Sequence, residues 1–246
     1  MSNAPIIRRS DKVRGKRLVI AYIHPGQVSA YFLEGMLATA LYDSRTEGRI
    51  QNILQDWSSA NVSQSRNKLT AKFLDECDAE WLLWIDADMA FTPDAVYRLM
   101  DAADPVERPI VGGLCFGAAH DRLFPTIYLW GQTEAEKIVT YRPADYPRDV
   151  VAPVAATGAA FLLIHRDVLS KIRDHGFNRT FPWFQETEYD GDPVGEDLTF
   201  CLRAGQLGIP VHVHTGVRIG HHKSTVLTED VFDAQRRASD GADPSA

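Results

Sequence analysis

The run Trp81-Leu82-Leu83-Trp84-Ile85 constrains this chain more than any other stretch. Its five apolar residues lead without a break into Asp86-Ala87-Asp88. An unbroken apolar run of this length, closed by charge, fits a strand buried on both faces. Such strands lie inside parallel sheets, and ligands bind outside their carboxyl ends. Asp86 and Asp88 stand at that end. If the extended backbone continues through Asp88, both side chains point to one side. Two anions so close repel each other. A hard divalent cation relieves the repulsion, and Mg²⁺ or Mn²⁺ prefers carboxylate oxygens. The same Asp-x-Asp also suits a polar loop capping the helix that opens near Thr92-Pro93.

The rest of the chain alternates in the way such a strand requires. Leu18 to Ile23 reads as a first buried strand, followed by a His24-Pro25-Gly26-Gln27-Val28 turn. Ser29 caps a helix whose expected inner face is Phe32, Leu33, Met36, Leu37 and Ala40. A strand is expected over Ile50 to Trp57 and a helix over Val62 to Cys77, with Leu69, Phe73 and Leu74 inward. Thr92-Pro93 starts a helix that ends before Pro105, and Pro109 to Cys115 is a strand. Arg122 to Gly131 and Lys137 to Pro143 read as a hairpin or insertion. Val150 to Ile164 holds one or two strands broken at Thr157-Gly158, and a short helix begins near His165. Phe181 to Gly195 reads as a long loop of aromatics and acids. A helix over Glu196 to Leu207 and a strand over Val211 to His214 follow. Alternating strands and helices give an α/β fold, and the later hairpins make the sheet mixed. One domain over residues 17–226 is expected. A flexible basic arm (1–16) precedes it, and a polar tail (227–246) with a disordered end follows.

Composition narrows the partners. A formal net charge of -7 argues against nucleic acid or an anionic membrane as the main partner. No apolar stretch approaches a membrane span. Cys77, Cys115 and Cys201 have no metal-ligand spacing and suit a reducing compartment, so a cytoplasmic protein is expected.

Several further groups carry possible chemistry. Gly195-Glu196-Asp197 closes a loop and opens a helix. Acids there complement the helix dipole, and a carboxylate there is equally placed as a general base. The dipole is expected to hold Asp197 ionised. His221 or His222 is a possible third metal ligand. Arg66 either lies on an exposed helical face, or forks onto a phosphate or caps a nucleotide base. Trp183 and Phe184 are either core or a platform for a sugar. Gly158 allows a bend or a close approach to ligand. Asp190 and Asp192 read as solvated.

Together these pieces resemble the GT-A fold glycosyltransferases, from Leu18 to Lys223 and in the order of that family's motifs. The marks are Pro25 after the first strand, Arg66-Asn67 in a following helix and Asp86-Ala87-Asp88 after an apolar strand. Thr157-Gly158, Gly195-Glu196-Asp197 and Gly220-His221 complete the set. The chain looks most like small stand-alone bacterial and bacteriophage members and is similar to mannosylglycerate-synthase-like enzymes. The resemblance implies a single Rossmann-like α/β domain with a mixed, mostly parallel sheet flanked by helices. It implies a nucleotide-diphosphate sugar donor, Mn²⁺ or Mg²⁺ on the diphosphate, and an acceptor of unspecified class. Were the chain phage-encoded, its compartment would be the host cytoplasm. On this pattern Asp88 and His221 are metal ligands, and Asp86 binds the ribose or the metal. Pro25, Gln27, Arg66 and Ala87 line the nucleotide. Gly158, Trp183 and Phe184 form the sugar and acceptor pocket. Asp197, with Glu196 beside it, is the catalytic acid pair, and inversion is favoured over retention. Residues 120–149 match no motif. A nucleotidyltransferase acting on sugar phosphates and a non-catalytic sugar- or nucleotide-binding module are the competing readings.

Overall fold

The structure, a computed structural model, describes residues 16–58, 61–119, 122–132, 138–189 and 191–224. The basic arm up to residue 15, Asp190 and the tail from residue 225 lie outside the described residues.

The first half consists of β1 (Leu18–His24), α1 (Ala30–Arg45), β2 (Ile50–Trp57), α2 (Val62–Glu76), β3 (Trp81–Ile85), β4 (Met89–Ala90), α3 (Pro93–Ala102) and β5 (Ile110–Leu114). Short strands follow: β6 (Phe116–Ala119), β7 (Arg122–Pro125), β8 (Ile127–Gln132), β9 (Ile138–Tyr141), β10 (Val151–Val154) and β11 (Ala156–Thr157). The chain then forms β12 (Phe161–His165), α4 (Arg166–His175), β13 (Thr187–Tyr189), β14 (Asp192–Val194), α5 (Glu196–Gln206), β15 (Val211–Arg218) and β16 (Gly220–His221).

Seven strands form the central sheet in the order β10-β15-β5-β12-β3-β1-β2. β1, β2, β3, β5 and β15 run one way, and β10 and β12 run against them. β3 lies between β1 and β12, and every one of its residues is buried. Its side chains feed two cores. Leu82 and Trp84 pack with α2, α4 and α5, while Trp81, Leu83 and Ile85 pack with α1 and α3. Each large apolar side chain so buried contributes about 1.5–3 kcal/mol.

Two expectations fail for the same reason, which is that packing overrides local pattern. In α1 the inward face is Phe32, Gly35, Met36, Thr39 and Asp43, while Leu33 and Leu37 are exposed. Asp43 is worth burying because it accepts hydrogen bonds from the backbone N–H groups of Arg49 and Ile50 and from the Tyr97 hydroxyl at 2.6 Å. The aromatic and acidic stretch before α5 is not a plain loop. It carries the β13–β14 hairpin, and both Trp183 and Phe184 are core residues. The hairpin or insertion expected over Arg122 to Gly131 and Lys137 to Pro143 is a hairpin in part: β8 pairs with β9 and carries β11 on its other edge, while Arg122–Pro125 is a separate strand paired with β6, and residues 133–137 lie outside the described residues.

Candidate functional site

β3 ends at Ile85, and the backbone does not stay extended beyond it. Met89 N–H donates to Asp86 C=O at 3.1 Å, which closes a tight turn over Asp86-Ala87-Asp88. The expectation that both carboxylates point to one side is therefore corrected, because the turn sends them to different partners.

Asp86 turns toward α2. Its Oδ1 accepts a hydrogen bond from Arg66 Nη2 at 2.7 Å. The Arg66 side chain is only 4% exposed, and its Nε lies 3.6 Å from Glu196 Oε1. Its guanidinium centre sits 5.0 Å from the Trp84 ring and 5.6 Å from Phe184. Neither Nε nor Nη1 finds a hydrogen-bond partner among the described residues. Arg66 is thus neither an exposed helical residue nor an open phosphate fork. It is a buried cation that joins Asp86 to the start of α5.

Asp88 turns the other way. Its Oδ2 lies 3.0 Å from His221 Nε2 and 3.0 Å from Lys223 Nζ. The short pairing of β16 with β4 sets His221 opposite Met89, next to Asp88. His221 Nδ1 lies 2.8 Å from Phe116 C=O. A carbonyl only accepts, so Nδ1 carries the hydrogen; a carboxylate only accepts as well, so the contact at Nε2 is attractive with a proton or a cation between the two. A backbone carbonyl holding the far nitrogen is the usual support of a metal-ligating histidine. His222 is different: its backbone N–H donates to Asp88 C=O, and its ring lies 5.4 Å from Tyr31. Among the described residues no group of three His, Cys, Asp or Glu side chains gathers as a metal cluster. Asp88 and His221 are the carboxylate and imidazole that this turn brings together. A hard cation with two protein ligands takes its remaining oxygens from phosphate and water.

Pro25 and Gln27 lie exposed in the turn after β1. That turn is fastened to the acidic turn, since Ser29 N–H donates to Ala87 C=O at 2.9 Å. Ser29 also caps α1 through its hydroxyl, as its position before the helix leads one to expect.

On the opposite side, Gly195 is the N-cap of α5 and carries no side-chain cap, and Asp197 occupies the first turn. Asp197 Oδ1 accepts from Leu198 N–H at 2.8 Å. A Cβ on Gly158 would come 3.4 Å from Asp197 Oδ2, an ordinary van der Waals contact, so Gly158 lies directly beside that carboxylate. Asp197 retains some solvent contact yet is largely surrounded by protein. Burial pushes its carboxyl above the usual range, against the pull of Arg66 and of backbone N–H groups. Burial is the largest influence on this carboxyl, one that the expectation built on the helix dipole left out. Glu196 is raised as well, first by burial and then by the charge of Asp197.

Trp183 and Phe184 are 2% and 0% exposed and offer no face to a sugar. Asn67 explains why: its Oδ1 accepts from Trp183 N–H at 3.1 Å and its Nδ2 donates to Phe184 C=O at 2.6 Å. Sequence reasoning missed this clamp, and it missed Lys223 and the Phe116 carbonyl. Lys223 follows directly on the two histidines and was legible as charge. A backbone carbonyl leaves no mark in a sequence.

Two solved structures share this arrangement of elements. A197 from STIV matches with a TM-score of 0.53 at 15% identity, over 85% of this chain and 86% of that one. GalNAc-T7, solved with UDP, GalNAc and Mn²⁺, matches with a TM-score of 0.53 at 10% identity, over 86% of this chain and 44% of that one. The chain has the GT-A fold. In this GT-A domain the two turns and the first turn of α5 gather around the carboxyl end of β3, which is where open α/β sheets hold ligands. No family profile and no curated protein sequence matches the chain. Among the described residues no helix is long and apolar enough to cross a membrane.

Proposed function

We propose that this chain is a metal-dependent glycosyltransferase that moves a sugar from a nucleotide-diphosphate sugar to an acceptor hydroxyl. The observation that carries the reading is the pairing of Asp88 with a His221 ring whose far nitrogen is fixed by a backbone carbonyl. The GT-A fold, shared with a structure solved with UDP and Mn²⁺, supports the same assignment.

In this reading the donor nucleotide lies over the Pro25–Gln27 turn and Ala87, with its diphosphate toward Asp88 and His221. A bound Mn²⁺ or Mg²⁺ there supplies Lewis-acid stabilisation of the charge that grows on the leaving diphosphate, worth several kcal/mol. Lys223 adds a second positive charge on the same carboxylate. Asp86, oriented by Arg66, keeps its remaining oxygen for the donor ribose. Asp197 takes the proton of the acceptor hydroxyl as that oxygen bonds to the anomeric carbon and the diphosphate oxygen departs. A carboxylate raised by burial is a stronger base than an exposed one. Attack from the face opposite the diphosphate inverts the anomeric centre. Gly158 leaves room beside Asp197 for the acceptor.

The test is mass spectrometry of purified protein with a panel of nucleotide sugars and Mn²⁺, scoring donor hydrolysis. Hydrolysis of one donor that is lost in Asp88→Ala is expected. Neither binding nor hydrolysis of any donor would remove the reading, and release of pyrophosphate from a nucleoside triphosphate plus sugar phosphate would replace it.

A further inference from the structure

Trp183 and Phe184, the aromatic pair expected to face a sugar, are core, but a different indole lies open near Asp197. Trp130 of β8 is 54% exposed. β8 begins next to Asp197: the position that a Cβ on Gly158 would take is 3.4 Å from both Thr126 Cβ and Asp197 Oδ2. Thr126 immediately precedes β8. The strand carries the chain from there to Trp130 over about 13 Å. Tyr128 and Trp130 share one face of β8, because alternate residues do. That face is the one toward α5. Tyr128 pairs with Ala156 of β11, and both pack with the core that holds Phe200 and Cys201 of α5.

The surface beside Trp130 is held in place. Thr140 of β9 stands opposite the indole, and Arg142 follows just beyond β9 on the same face. Arg142 Nη2 donates to the Tyr128 hydroxyl at 2.9 Å. Its guanidinium centre sits 3.8 Å from the Phe124 ring and 5.1 Å from the Tyr128 ring. Phe124 in turn lies on the Gly117 backbone, where a Cβ would fall 2.5 Å from its Cε2. Arg142 is thus exposed yet fixed against two rings, and the Tyr128 bond uses one of the five N–H donors of its planar fork. An open aromatic face beside a rigid set of donors matches a sugar, which has an apolar C–H face and a rim of hydroxyl oxygens.

We propose that the acceptor is an oligosaccharide: the sugar that receives the transfer lies at Asp197, and a more distant sugar of the same chain stacks on Trp130 and accepts hydrogen bonds from Arg142. This rests on the glycosyltransferase reading above and names its acceptor class. The span from Thr126 to Trp130 is longer than one sugar ring, so a monosaccharide at Asp197 does not reach the indole. β8 and β9, in the stretch that matches no motif, then supply the acceptor side of the site.

The experiment applies the fluorescently labelled full chain, with Mn²⁺, UDP and GDP present, to an array of immobilised glycans. The array runs from monosaccharides to hexasaccharides, neutral and uronate-bearing, and the best-bound glycan is then titrated in solution. The wild type is expected to bind at least one oligosaccharide, and to bind its component monosaccharides far more weakly. Trp130→Ala should weaken that oligosaccharide by about tenfold or more, the scale of a central aromatic anchor, and Trp130→Phe should recover most of the loss. Arg142→Met should weaken it as well. Undiminished binding in Trp130→Ala or in Arg142→Met overturns the platform. So does equal binding of monosaccharide and oligosaccharide. A loss that Trp130→Phe fails to recover, accompanied by a large fall in melting temperature, overturns it too, because that marks a structural role for the ring. A wild type that hydrolyses a nucleotide sugar but binds no glycan overturns the platform while the donor reading stands. A wild type that does neither removes both.

Discussion

Arg66 Nη2 lies 2.7 Å from Asp86 Oδ1, and through this one buried cation the end of β3 is tied to the first turn of α5. Its apolar walls, Trp84 and Phe184, leave it little contact with water. Removing the cation leaves Asp86 and Glu196 facing each other without compensation. Arg66→Met is expected to destabilise the fold by about 3 kcal/mol. This is the low end for a broken buried pair, because the Asp86 side chain is 31% exposed. Urea unfolding measures it, and an unchanged midpoint would show that the pair is not coupled to the fold.

The two histidines should separate. His221→Ala is expected to weaken Mn²⁺ binding in the presence of nucleotide by about tenfold or more, and His222→Ala to leave it nearly unchanged. Titration followed by Mn²⁺ EPR reads both. Equal losses would mean that the Phe116–His221–Asp88 line is not the cation site. Chelation should abolish transfer, and adding back Mn²⁺ or Mg²⁺ should restore it.

Asp88→Ala should cut turnover strongly while changing stability by only about 0.5 kcal/mol, because the carboxylate is 38% exposed. A large fall in melting temperature would point to a structural role instead.

Asp197 makes a prediction about pH as well as rate. Asp197→Asn is expected to lower kcat by about 100-fold with donor affinity retained, and Glu196→Gln to cost less. The stability effect has the opposite sign. Burial raises the folded carboxyl, so the unfolded chain ionises first as pH rises and stability falls until the folded group ionises too. Below the usual carboxylate range both states are protonated and nothing is lost. Asp197→Asn should therefore raise the melting temperature near neutral pH, and the gain should vanish in acid. A gain that persists in acid would refute the burial argument. NMR of the anomeric centre in donor and product tests inversion.

The Asn67 clamp gives the last expectation. Asn67→Leu leaves the Trp183 N–H and the Phe184 C=O buried without partners, at a cost of about 1–3 kcal/mol each. Unfolding of the variant beside the wild type checks it, and a neutral result would mean that the stretch before α5 is held by packing alone.

What the sequence determined by itself is what repeats or runs along the chain. The apolar run of β3, the serine before α1 and the proline at the start of α3 each act within a few residues, so strand, caps and alternation were legible. The order of strands and helices followed, and with it the carboxyl edge where the acids collect. Tertiary structure decided where each side chain points. A four-residue turn, Asp86 to Met89, parted Asp86 from Asp88, although period-two geometry had put them together. Asp43 went inside and Leu33 outside because the Arg49 and Ile50 N–H groups and the Tyr97 hydroxyl, 54 residues away, all meet that carboxylate. Arg66 became a buried link, and Trp183 and Phe184 became core, through partners far away in the chain. His221 reached Asp88 across 133 residues because two short strands happen to pair there. Local energies are written in neighbouring residues, whereas burial and long-range pairing exist only once the chain has closed on itself.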